Sequence, residues 1–88
     1  MNYLFIANWS LSEIPLSYRK KFERIIINSS YILICFQEKF ENINNLKYFK
    51  NLKKYKLKKF QVKIIENKFY NGNFFNKQKH YFFLGKKL

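Results

Sequence analysis

Two short stretches in which every residue is apolar limit this chain more than any other feature. Residues 3–7 (Tyr3, Leu4, Phe5, Ile6, Ala7) and 31–36 (Tyr31, Ile32, Leu33, Ile34, Cys35, Phe36) are too short for helices and too apolar for loops. A run that is apolar at every position predicts a strand covered on both faces, the habit of parallel sheets. Parallel strands need a crossover of a dozen or more residues, and the intervening segment fits one. Asn8-Trp9-Ser10-Leu11-Ser12-Glu13 breaks the apolar pattern, and Pro15 suits the first turn of a helix. Ile14, Tyr18, Phe22, Ile25 and Ile26 then recur at helical spacing with Arg19, Lys20, Lys21 and Glu23 between them, predicting an amphipathic helix that Asn28, Ser29 and Ser30 end.

The remainder reads as helix, strand, strand. Ile43, Leu46, Phe49 and Leu52 mark one helical face and Lys47, Lys50, Lys53 and Lys54 the others, with Asn42 placed to cap. Phe60, Val62 and Ile64 alternate with Gln61 and Lys63, the period of a strand nearer a sheet edge. A last strand is predicted over residues 80–84. Asn71-Gly72-Asn73 lies between the two, so they are expected to pair antiparallel across a long loop, with Gly72 as a turn residue.

Eighty-eight residues support one small domain, and the 48% apolar content is too high for a disordered arm. The formal charge of +13 invites an anionic partner. However, 16 of the 18 basic residues are Lys, and Asn, Ile, Phe, Tyr and Lys dominate the chain. These are the residues of A/T-rich codons, so lysine abundance by itself does not select for nucleic acid. The lysines of residues 47–59 are read first as a solvated helix face and exit loop. Contact with nucleic acid through them is the alternative. Cys35, the only cysteine, allows no intrachain disulfide and reads as a small buried hydrophobe. There is no run of 18 apolar residues and no basic leader before the first apolar run, so a reducing cytoplasm is expected and no membrane partner.

The order strand, helix, strand, helix, strand, strand, with the last strand antiparallel, is similar to the second half of the class I methyltransferase sheet, an α/β, Rossmann-like fold. Phe5-Ile6-Ala7-Asn8-Trp9-Ser10-Leu11-Ser12-Glu13-Ile14-Pro15 resembles a segment of the putative sugar O-methyltransferases. Tyr31-Ile32-Leu33-Ile34, Phe36-Gln37 and Asn45-Leu46-Lys47-Tyr48-Phe49 continue in that family's order, and Tyr81-Phe82-Phe83-Leu84-Gly85-Lys86-Lys87 resembles its last strand. The resemblance implies methyl transfer from S-adenosylmethionine to a sugar hydroxyl. It also implies that residues 1–88 form a single partial domain, the C-terminal half, from a truncated or split reading frame. The glycine-rich loop and ribose-binding acid of such an enzyme have no counterpart here, since the only glycines are Gly72 and Gly85. The chain alone is therefore expected neither to bind the cofactor nor to be catalytically competent. A missing N-terminal half, or self-association through the first strand, would complete it.

Ligands of open α/β sheets bind beyond the carboxyl ends of the strands, which places Asn8, Trp9, Ser10, Ser12 and Glu13 in the substrate and cofactor pocket. Ser12 could equally cap the helix and Glu13 complement its dipole. His80, the only histidine, is a weak candidate general base beside Glu13. Whether it lies at the mouth depends on the direction of its strand. One His, one Cys, no Asp and five scattered Glu offer no metal site.

Overall fold

A computed structural model describes residues 3–8, 11–68 and 79–88. Its elements run β1 (Leu4–Asn8), a 3-10 turn (Leu11–Glu13), α1 (Leu16–Ile27), β2 (Tyr31–Gln37), β3 (Lys39–Phe40), β4 (Ile43–Asn44), α2 (Asn45–Tyr55), β5 (Phe60–Glu66) and β6 (His80–Lys87). This is a mixed α/β arrangement with a four-stranded sheet of order β1-β2-β6-β5. β1 and β2 are parallel, while β6 runs antiparallel to both of its neighbours, β2 and β5. The expected antiparallel pairing of the last two strands is present, and β6 continues past Leu84 to Lys87. The expected Asn71-Gly72-Asn73 turn lies outside the described residues.

Side chains alternate across a strand, so register sorts the sheet into two faces. Ile32, Ile34 and Phe36 share one face with Phe5 and Ala7 of β1, Phe83 and Gly85 of β6, and Val62 and Ile64 of β5. Both helices pack there. Phe49 of α2 lies against Phe36 and Phe83, at ring-centroid separations of 4.3 and 5.6 Å, and all three rings are fully buried. Close packing on this face explains Gly85: a Cβ there would meet Ile32 Cδ1 at 3.0 Å and its Cβ at 3.2 Å.

The second face departs from the sequence expectation. Leu4 and Ile6 are 58% and 59% exposed, Tyr31, Ile65 and Leu84 are also exposed, and Leu33, Cys35 and Phe82 are half-buried. Neither apolar run is covered on both sides. Cys35 is accordingly half-buried, and burial raises its thiol pKa, which keeps it protonated and a poor nucleophile.

α1 brings a second correction. Of the predicted stripe, Tyr18, Phe22 and Ile25 are exposed; the buried residues are Arg19, Glu23 and Ile26. The helix turns Arg19 and Glu23 inward toward α2 and Tyr18, Phe22 and Ile25 outward, while Ile26 of the predicted stripe is buried as expected. On α2, Phe49 and Leu52 are buried and Lys47, Lys50, Lys53 and Lys54 exposed, as expected. Its cap is Asn44, whose side chain accepts from the Lys47 amide at 3.1 Å. Asn42 cannot cap, because Glu41 and Asn42 form the turn of the β3–β4 hairpin, with Glu41 at φ 53°. Ile43 enters β4 rather than the helix.

A candidate functional site at the carboxyl ends of β1 and β2

Parallel pairing aligns Asn8 with Cys35, so β1 and β2 end at the same pole of the sheet. β6 begins there, with His80 opposite Gln37, and β5 ends there, with Glu66 opposite Tyr81. The direction of β6 thus settles the position of His80, which lies at the mouth pole. Register places Asn8, Cys35, Gln37 and His80 on the open face, with β2 between Asn8 and His80. His80 is buried, and that burial lowers its pKa, so the imidazole is neutral at pH 7, the form able to accept a proton.

Of the five pocket candidates, Asn8 is exposed at the end of β1 and Glu13 exposed in the 3-10 turn, whereas Ser12 is fully buried. Trp9 and Ser10 lie outside the described residues. Ser12 does not cap α1. The N-cap is Pro15, which offers no side-chain hydrogen bond, because the 3-10 turn sets the helix start at Leu16. The same turn keeps Glu13 out of the first turn of α1, which has no acidic residue, so a dipole-complementing role is not realised.

What fixes this segment is a pair of buried polar side chains. The Ser12 carbonyl accepts from Arg19 Nη2 at 2.9 Å and from Asn45 Nδ2 at 3.1 Å, and Arg19 Nε donates to the Ile14 carbonyl at 2.9 Å. Loop carbonyls buried under two helices need such partners, and a guanidinium delivers two donors in one rigid plane. Arg19 also lies over the Tyr48 ring, 4.8 Å from its centroid. Tyr48 donates to Glu23 Oε1 at 3.1 Å, and Lys56 pairs with Glu23 Oε2 at 3.2 Å. Burial, then the Glu23 carboxylate, pushes the Tyr48 phenol well above its ordinary value, so it stays a donor. Burial lowers the pKa of Arg19, though a guanidinium keeps its proton in proteins. Helical spacing could not reveal these residues. Arg19 is one of only two arginines among the 18 basic residues, but the other, Arg24, is exposed on α1, so residue type did not single Arg19 out either.

Two further contacts shape the pole. The Glu38 carbonyl accepts from the amides of Asn45 and Leu46, anchoring the start of α2 to the end of β2. Tyr81, stacked on Phe36, donates to Glu38 Oε2 at 3.4 Å. Beside the pinned segment, Phe5, Ala7, Leu11, Ile14 and Phe22 line an apolar cavity of about 220 Å³. Arg19 Nη1 and Asn45 Oδ1 are buried without a hydrogen-bond partner among the described residues.

Among the described residues no cluster of three His, Cys, Asp or Glu could hold a metal, and no helix is long and apolar enough to cross a membrane. Comparison with known proteins finds no matching family model, no matching curated protein and no matching solved structure.

Proposed function

We propose that this chain supplies the substrate-side half of an S-adenosylmethionine-dependent sugar O-methyltransferase, the cofactor-binding half coming from another segment. The observation that carries this reading is the apolar surface along β1, an edge strand of the sheet among the described residues. Tyr3, Leu4 and Ile6 are exposed there, and Phe22 and Ile25 continue the surface onto α1. Patches of this kind mark contact surfaces, and a strand and helix extending the sheet past β1 would cover this one. The position of β6, antiparallel between β2 and β5, supports the same reading, since a terminal antiparallel strand distinguishes that sheet from other doubly wound ones.

On this reading the glycine-rich loop and the ribose-binding acid belong to the other segment, and the chain's own part concerns the acceptor. Arg19 and Asn45 hold the backbone after β1 in place, and of the described residues the exposed Asn8 and Glu13 would face the acceptor. A sugar hydroxyl must lose a proton on methylation, and exposed Glu13 or neutral His80 would take it. The test is transfer of a radiolabelled methyl group from S-adenosylmethionine to a panel of sugars by the chain purified together with the segment that completes it. Methylation that falls at least tenfold in Glu13→Gln or Asn8→Ala is expected. No transfer to any sugar would overturn the assignment. The division of labour fails if the isolated chain binds S-adenosylmethionine with a Kd at or below about 10 μM, roughly −7 kcal/mol.

A further inference from the structure

The topology gathers the carboxylates at one end of the strands, where Lys39, Lys47, Lys68 and Lys79 accompany them. Glu13, Glu38, Glu41 and Glu66 lie toward the mouth pole, leaving Glu23 as the fifth carboxylate of the chain. At the opposite pole α1 and α2 end, β5 begins and β6 finishes, bringing together Lys53, Lys54, Lys56, Lys58, Lys59 and Lys87. Codon bias can spread lysine through a chain, but it does not move the carboxylates to the other end. Two ordinary roles absorb some of this charge. Lys56 pairs with Glu23, and the two helix C-termini carry together about one negative charge, which Lys53 and Lys54 in the last turn of α2 offset. Lys58, Lys59 and Lys87 are exposed and form no ion pair among the described residues.

These three lysines line a groove of about 390 Å³ together with Asn28, Tyr55 and Phe60, with Lys87 Nζ 5.9 Å from the Phe60 ring centroid. Tyr55, the last residue of α2, is 61% exposed, with Lys54 Nζ 5.1 Å from its ring centroid. An exposed aromatic ring among unpaired cations offers a face for a base and charges for the adjoining phosphates. We propose that this pole binds single-stranded nucleic acid, with a base stacked on Tyr55 and phosphates on Lys58, Lys59 and Lys87. The site is remote from the mouth pole and stands independently of the methyltransferase assignment.

Fluorescence anisotropy of a labelled oligouridylate or oligothymidylate, titrated with the intact chain across a range of KCl, tests it. Three phosphate contacts predict a slope of log K against log salt of about −2. Tyr55→Ala is expected to weaken binding about fivefold or more with the slope unchanged. The double variant Lys58→Gln/Lys59→Gln should make the slope shallower by about 1.4. Lys20→Gln/Lys21→Gln removes equal charge from exposed positions on α1 and should leave affinity within about twofold. Circular dichroism checks that each surface variant is folded. The proposal is overturned if Tyr55→Ala has no effect, if the α1 double variant loses as much as the groove variant, or if polyphosphate of equal charge binds as tightly as the oligonucleotide.

Discussion

Replacing Ile6 by Lys separates a sheet with one open face from one covered on both. Full burial of an Ile side chain stabilises by about 1.5–3 kcal/mol, and Ile6, at 59% exposure, has roughly two-fifths of its surface covered. Ile6→Lys should therefore cost about 1 kcal/mol at most, less to the extent that the lysine stem lies over Leu33, its neighbour in register. It also puts a charge on an edge strand, the usual device against edge-to-edge association. The variant should remain soluble at higher concentration than the parent while melting at nearly the same urea midpoint. Leu4→Lys, at 58% exposure on the same face, should behave alike. Ile34→Lys introduces the same side chain on the fully buried face and should cost more than about 4 kcal/mol, enough to unfold a domain of this size. Urea denaturation followed by circular dichroism gives all three values. A loss above about 3 kcal/mol for Ile6→Lys would mean that the face is covered and would refute the two-layer account.

Arg19→Ala removes the donors to the Ser12 and Ile14 carbonyls and should destabilise by about 3 kcal/mol, with Arg19→Met losing less because the stem is kept; equal urea midpoints for Arg19→Ala and the parent would contradict the pinning role. Gly85→Ala should cost about 1–3 kcal/mol, part of it recovered by Ile32→Val, which removes the Cδ1 atom met at 3.0 Å; no recovery in the double variant would place the strain elsewhere. His80 has a folded pKa below its ordinary value of 6.5, so the unfolded chain takes up its proton first as pH falls, and the folded state loses stability below about pH 6.5. His80→Gln should flatten that part of the stability profile between pH 7 and 5, and an unchanged slope would exclude the histidine as its source.

Strand positions were legible because Leu4–Asn8, Tyr31–Gln37 and Phe60–Glu66 carry apolar runs or a clean period of two. Which faces those strands bury was not. An apolar run is compatible with cover on one side or two, and the choice depends on what packs there rather than on the run itself. On α1, periodicity marks an apolar stripe through Tyr18, Phe22 and Ile25, but the helix instead buries Arg19 and Glu23 against Tyr48 and the loop carbonyls. Hydrogen-bonding demand from a buried turn decided that orientation, and the partners lie far apart in sequence. Capping failed locally for a related reason: the Glu41–Asn42 turn took the residues that would have begun α2, leaving Asn44 as cap. At the mouth pole, Asn8 and Glu13 were placed from the end of the strand, whereas the position of His80 needed the β2–β6 register.

The central claim is that β1 and the outer stripe of α1 form a surface which another segment covers. Sedimentation velocity of the purified chain at tens of micromolar tests it most directly. The account predicts self-association through that edge, seen as species heavier than the 11.0 kDa chain, reduced in Ile6→Lys. A single 11.0 kDa species that also melts cooperatively would contradict it.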